Sequence, residues 1–264
     1  MDAYRIAYDG RPYYGFQRQP DVPTVEDALF DALRDLDVLS GDTPPGYAAA
    51  GRTDAGVSAV AQTVAFDAPD WLSPAAFNGE LPASVRAWAR ADALTGFHAT
   101  HHATAREYVY HCFAPDADAE RARAALDRLR GEHDFHNLTP DDDGTVRDLS
   151  ASLAGDGDYL VLTFRAGGFA RQLVRRLVSL VRAVAMGEAA MEKIDRVLAS
   201  DPLPGHEGVP PAPAYPLVLV DAEYPDLEFA VDPDAAASAR VVFGEKRAEW
   251  RTRARVAGEI ADRI

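Results

Sequence analysis

Cysteine occurs once in the 264 residues, at Cys112, so no disulfide can close within the chain and no cysteine cluster can bind a metal. Lysine occurs twice, at Lys193 and Lys246, against 25 arginines. No apolar run approaches the roughly 20 residues of a membrane span. The chain opens Met-Asp-Ala-Tyr-Arg and passes at once into a strand pattern, so no signal peptide is expected. The expected location is therefore the cytoplasm.

What is abundant is negative charge. The formal net charge is −15, while the apolar share of 47% is ordinary for a folded domain. Taken alone, such acidity argues against nucleic acid, which is held by clustered cations. Surplus Asp and Glu with almost no Lys also fits a surface adapted to concentrated salt, where screening over a few ångströms removes most self-repulsion. On that reading the placement of the arginines says more about partners than the total does.

One stretch stands out, Ala50-Gly51-Arg52-Thr53-Asp54-Ala55-Gly56-Val57. It follows a Pro/Gly-rich loop at 43–46 and precedes the alternating run Val60, Gln62, Val64, Phe66, so it reads as a tight turn entering a strand. Gly51 and Gly56 would supply backbone freedom. Arg52 lies two residues from Asp54, and a nearby opposite charge is expected to keep the carboxylate ionised. From these residues alone, a turn with a local ion pair and a reactive acid fit equally.

Tyr4, Ile6 and Tyr8 alternate as a strand. Thr24 and Asp27 have capping-box spacing ahead of an amphipathic helix from 25 to about 37. A helix is expected from Ser73-Pro74 to near Leu81-Pro82, then a strand over 85–91. A second half begins near 103. It has a strand carrying Arg106, Tyr108, Tyr110 and Cys112 on one face, a helix over 118–130, a loop over 131–137, a hairpin over 149–165, a helix from Phe169 to about Met186, a shorter one over 191–199, and a strand over 217–224. The spacing puts Arg171, Arg175 and Arg182 on the polar side of the 169–186 helix. Residues 225–264 read as one short strand and a helix carrying Lys246, Arg247, Arg251, Arg253 and Arg255, open to reading as a solvated face, an RNA contact or a subunit contact. The order of elements predicts an α+β fold of three parts: residues 1–102, 103–224 and a 225–264 extension.

Several short motifs then coincide with one family. They are Tyr8-Asp9-Gly10, Tyr14 through Gln19, Thr24-Val25-Glu26, Gly51 through Val57, Phe77-Asn78 with Leu81-Pro82, Phe97-His98-Ala99, Ala105 through Tyr110, His133-Asp134-Phe135, Phe169 through Arg175, and Leu217. In this order the chain resembles the tRNA pseudouridine synthase A family over residues 8 to about 224. Phe16, Ser58 and Pro216 depart from the family's usual Trp, His and Gly. Together with the acidity, the resemblance implies a halophilic archaeal source.

The resemblance implies two related ferredoxin-like (RRM-like) halves sharing a mostly antiparallel sheet, with an active cleft between them. It implies isomerisation of uridine to pseudouridine at positions 38–40 of the tRNA anticodon arm, with no cofactor or metal, by a homodimer. Asp54 is then the catalytic acid, as nucleophile or as partner to a glycal-type intermediate. Arg52 would keep the acid charged or fill the gap left by the flipped base. Tyr108 would stack on the uracil and take part in proton removal at C5, Arg175 would pair with the acid, and Leu217 would be an apolar wall. Arg106 joins Arg11, Arg18, Arg52, Arg165, Arg171, Arg175 and Arg182 as expected RNA contacts. His98, His101 and His102 have no acidic partner in step, so a metal site there is not expected. A non-catalytic RNA-binding protein on the same scaffold, or a synthase for another RNA, are the competing readings.

Overall fold

The computed structural model describes residues 1–264. In chain order the elements are β1 (Asp2–Tyr8), α1 (Val25–Asp35), β2 (Ala48–Ala49), β3 (Ser58–Phe66), α2 (Pro74–Phe77), β4 (Val85–Asp92), β5 (Ala105–Phe113), α3 (Ala119–Leu129), β6 (Gly131–Asp134), β7 (Val146–Asp156), β8 (Tyr159–Ala166), α4 (Leu173–Ala185), α5 (Glu192–Val197), β9 (Leu217–Glu223), β10 (Ala230–Val231) and α6 (Pro233–Ala261). The strands form one ten-stranded sheet in the order β10-β4-β1-β3-β9-β5-β8-β7-β6, with β2 beside β3. The fold is thus mixed α/β around a large central sheet. Every pairing is antiparallel except β3 with β9, where Ser58 lies opposite Val218 and Ala59 opposite Leu219. That parallel seam matters for function. Two strands running the same way begin at the same end of the sheet, so the turn before β3 and the start of β9 meet there.

The sequence patterns explain the packing. The α1 capping box forms as spaced: the Asp27 amide donates to Thr24 Oγ1 at 3.2 Å and the Thr24 amide to Asp27 Oδ2 at 3.2 Å. Leu29, Phe30 and Leu33 of α1 cover Tyr4, Ile6 and Tyr8 of β1 and Val64 and Phe66 of β3. Leu126 and Leu129 of α3 and Leu173, Leu177, Val181 and Val184 of α4 cover Leu149, Leu162 and Phe164 in a second core. Each fully buried leucine contributes roughly 1.5–3 kcal/mol. Tyr108 packs against both cores. The alternate residues of β1 and β3, Ala3 and Ala65, join a smaller cluster with Ala222 and Tyr224 on the opposite face.

Four boundaries differ from the sequence expectation. Residues 131–134, expected as loop, pair with β7 as the edge strand β6; Gly-Glu-His-Asp is too short and polar to show an alternating signal. Residues 149–153, expected as the first hairpin strand, belong to the longer β7. The helix expected from Ser73-Pro74 to Leu81 is only the four-residue α2. The helix expected from Phe169 begins at Leu173, because Gln172 is left-handed at φ 62° and breaks it. Arg171 therefore lies in the preceding loop and not on a helix face.

The Asp54 turn is held from outside by backbone. The Val57 amide donates to the Asp54 carbonyl at 3.1 Å across a β-turn, with Gly56 at φ 83°. The loop after β1 then grips it. The Phe16 amide donates to the Thr53 carbonyl at 3.0 Å and the Gly56 amide to the Tyr13 carbonyl at 3.3 Å. Gly10 lies so close that a Cβ there would sit 1.9 Å from the Val57 carbonyl oxygen. A Cβ at Gly51, by contrast, would meet nothing within 4 Å, so Gly51 is not the glycine the turn requires. Gly10→Ala should therefore lower stability by about 2–3 kcal/mol through overpacking, while Gly51→Ala should stay within about 0.5 kcal/mol. Denaturant midpoints in concentrated salt check this, and equal midpoints would contradict the close contact.

Candidate active site

The seam opens into a cleft of about 1360 Å³ lined by Arg52, Asp54, Arg106, Tyr108, Arg175 and Leu217, among others. That exceeds the roughly 300–1,000 Å³ of a small-molecule pocket. Each lining group arrives from a different element: Asp54 from the turn before β3, Tyr108 from β5, Arg175 from the first turn of α4, and Leu217 from the first residue of β9.

Asp54 Oδ2 accepts a hydrogen bond from Arg175 Nη1 at 2.9 Å. The guanidinium is fixed on its other side, where Arg175 Nε donates to the Ala212 carbonyl at 2.7 Å. The Ala212 amide in turn donates to the Arg175 carbonyl at 3.0 Å, so the loop before β9 clamps α4 at this residue. A charged bond between partners this well positioned is stronger than a neutral one. Asp54 keeps 32% of its side chain exposed, against 16% for Arg175. The carboxylate thus stays reachable from the cleft while its partner is mostly enclosed.

Arg52, expected as a partner of the acid, is not its partner here. It is exposed and makes no hydrogen bond or ion pair, so it stands free at the cleft wall beside an acid neutralised from across the sheet. Arg106, expected to bind substrate, is also placed differently. It is 9% exposed, and its guanidinium donates to the carbonyls of Ala50 (2.7 Å), Thr100 (2.5 Å), Ala103 (3.3 Å) and Gly167 (2.5 Å). With five N–H donors so engaged, none is left for a phosphate. Arg106 braces the start of the Asp54 turn against the loop leading to Phe169.

Tyr108 meets Phe169 edge-on, with ring centroids 5.3 Å apart and planes at 87°. Burial pushes the Tyr108 phenol up to about 12; the nearby Asp54 charge raises it further and Arg106 opposes. Its neutral form therefore prevails at ordinary pH. Below the turn, the Tyr8 hydroxyl and Thr53 Oγ1 share a buried hydrogen bond of 2.7 Å. That support was not legible in the sequence, because it joins residues 45 positions apart. The same is true of Ala212, whose contribution is a backbone carbonyl in a Pro-rich loop. His98 and His101 lie at the cleft edge with ring centroids 4.2 Å apart. No group of three or more His, Cys, Asp or Glu is arranged to hold a metal ion.

The other expected RNA-binding arginines are paired with carboxylates. Arg11 binds Asp9 at 2.9 Å, Arg18 binds Asp27 at 3.0 Å, Arg171 binds Asp141 at 3.2 Å, Arg182 binds Glu188 at 3.0 Å, and Arg165 binds Glu223. In a chain with this excess of acids, an arginine at the surface readily finds a partner. Asp9 is buried and also binds Lys246, so its pair with Arg11 is fixed. The more exposed pairs are worth only about 0–1 kcal/mol, so a phosphate can displace the carboxylate there.

A family model described as tRNA pseudouridine synthase matches residues 125–225. A tRNA pseudouridine synthase A of Halobacterium salinarum is 60% identical over 262 residues, covering 98% of each chain. One of Natronomonas pharaonis is 61% identical over 264 residues, covering 99% of each. Among solved structures, an archaeal box H/ACA sRNP Nop10-Cbf5 complex aligns at 16% identity with a TM-score of 0.36, over 69% of this chain and 43% of that one.

Replacing Arg175 by Gln should lower kcat by about 10²–10³-fold, the usual cost of one preorganised charged donor. The substrate's Kd should change by no more than a few-fold. Single-turnover kinetics beside equilibrium binding separate the two, and an unchanged kcat would contradict the role of the pair.

Proposed function

The chain belongs to the tRNA pseudouridine synthase A family, and on that premise we propose that it converts uridine to pseudouridine at positions 38–40 of the tRNA anticodon arm. The observation that carries this reading is the Asp54 carboxylate, paired through one oxygen with Arg175 and open to a cleft walled by Tyr108 and Leu217.

In the reaction the bond from ribose C1′ to uracil N1 breaks, the ring turns, and C5 bonds to C1′. The proton on C5 is released, and N1 ends protonated. Nothing is oxidised and no group is lost, so the residues must supply only positioning, charge and a proton path. Asp54 acts at C1′, where positive charge develops as the glycosidic bond opens, either by forming a bond there or by charge alone. Arg175 holds the carboxylate in place and limits the cost of burying it.

Tyr108 and Leu217 both line the cleft, and on this reading they bracket a planar base. With its phenol near 12, Tyr108 is ionised only about one time in 10⁵ at pH 7, which favours a stacking surface over a resting base. The base must leave the RNA stack to enter, and the unpaired Arg52 at the wall is placed to fill the space it vacates. The same reading treats residues 1–102 and 103–224 as related ferredoxin-like halves meeting at the β3–β9 seam, 225–264 as an extension, and the active species as a cytoplasmic homodimer.

Asp54→Asn should abolish tritium release from tRNA carrying [5-³H]uridine, while Kd for the same tRNA stays within a few-fold. Substantial release by this variant would remove Asp54 from the mechanism. Release from transcripts lacking uridines at 38–40 would redirect the specificity.

A further inference from the structure

The arginines divide sharply by partner. Those outside the cleft and α6 pair with carboxylates or donate to backbone carbonyls, as Arg86, Arg121 and Arg176 do. Arg253 of α6 pairs with Glu249, and Arg263, just past its end, with Glu259. The arginines that make neither a hydrogen bond nor an ion pair are Arg52 in the cleft and Arg240, Arg247, Arg251 and Arg255 on α6. In a chain of net charge −15, four unpaired arginines on one element are an exception that requires a cause.

The spacing of 7, 4 and 4 residues brings these four onto one stripe of an α-helix, which turns every 3.6 residues. All four are exposed. The stripe is about 22 Å long at 1.5 Å per residue. Glu245 and Glu249 fall on the other side of the helix, so no carboxylate interrupts it. The helix is also fixed relative to the cleft. Ala235, Ala236 and Ala239 bury its first turns. Further along, Lys246 Nζ binds Asp9 Oδ2 at 3.0 Å, and the Arg11 guanidinium lies over the Trp250 ring at 3.3 Å. Asp9 and Arg11 flank Gly10, the residue wedged against the Val57 carbonyl of the Asp54 turn. The body of the helix is therefore clamped to the loop that supports the catalytic turn, with Arg240 before the clamp, Arg247 within it, and Arg251 and Arg255 beyond it.

We propose that the Arg240–Arg247–Arg251–Arg255 stripe of α6 is a phosphate-backbone rail for the substrate tRNA outside the cleft. Guanidinium groups suit phosphate by their fixed fork of donors, and a regular row of them follows a backbone without reading bases. The rail contributes affinity and orientation and takes no part in the bond changes at uridine. Unpaired cations make no competing ion pair that RNA must first displace, which counts most where salt already weakens each phosphate contact. The proposal rests on tRNA being the substrate.

The test compares wild type, the fourfold Arg→Gln variant (R240Q/R247Q/R251Q/R255Q) and the corresponding fourfold Arg→Lys variant. Binding of an unmodified tRNA transcript is followed by fluorescence anisotropy across the KCl range in which near-ultraviolet circular dichroism shows all three folded. Wild type should lose affinity with salt along a log–log line whose slope exceeds that of the Gln variant by about 3, at 0.7–0.9 per phosphate contact. The Gln variant should raise KM for tritium release at least tenfold at the lowest usable salt, with kcat within twofold. The Lys variant should restore the slope. An unchanged slope and KM in the Gln variant, or a Lys variant no better than Gln, would overturn the rail. A change in sedimentation mass with the slope unchanged would overturn it too, assigning the stripe to a contact between copies of this chain. Tritium release is read separately: its absence in wild type refutes the proposed activity, while the salt slopes still report on the stripe.

Discussion

The site depends on one charged hydrogen bond, Arg175 Nη1 to Asp54 Oδ2, between residues 121 positions apart. Neither partner could hold the geometry alone. Asp54 sits on a short turn that the loop after β1 grips through backbone hydrogen bonds. Arg175 sits on the first turn of α4 and is anchored to Ala212 by a hydrogen bond in each direction. The parallel β3–β9 pairing brings these two supports to the same end of the sheet. A carboxylate placed this way has little freedom left to lose when substrate arrives, which is where much of an enzyme's advantage lies.

Around that pair the chain manages charge by neutralising its arginines one by one. Acids are plentiful, so most guanidiniums facing solvent are matched, and those in the interior donate to carbonyls. Arg106 is the clearest interior case: buried under the cleft floor, it ties Ala50, Thr100, Ala103 and Gly167 together. The few cations left unmatched lie at the cleft wall and along α6. The net charge therefore hides a strongly uneven distribution, and partner preference follows the distribution.

How much of this the sequence disclosed varied with the range of the interaction. Periodicity placed α1, α3, β1, β3 and β5 well: the two helices bury one face, and along β1 and β3 the large apolar residues alternate with small or polar ones even though both faces are largely buried. The Thr24–Asp27 cap and the Asp54 turn were legible because their determinants lie within a few residues. The edge strand β6 carried no apolar alternation, and the true start of α4 was set by a left-handed Gln172 that no composition rule marks. The partner of Asp54 showed the limit most clearly. Local spacing suggested Arg52, and Arg175 entered only through resemblance to a family, since pairing across 121 residues leaves no local trace. Arg106 looked like a phosphate ligand because its four acceptors are main-chain carbonyls, which a sequence does not display as chemistry.

On the proposed function, Asp54 meets the ribose of a uridine drawn out of the RNA stack. A crystal structure of the Asp54→Asn variant with a tRNA containing uridine at 38–40 tests it most directly. The target uridine should be extruded into the cleft, its base between Tyr108 and Leu217, and its C1′ within about 3.5 Å of the position 54 side chain, the separation from which such groups react. A uridine still stacked in the anticodon arm, or one seated in the cleft with C1′ well beyond reach of residue 54, would contradict it.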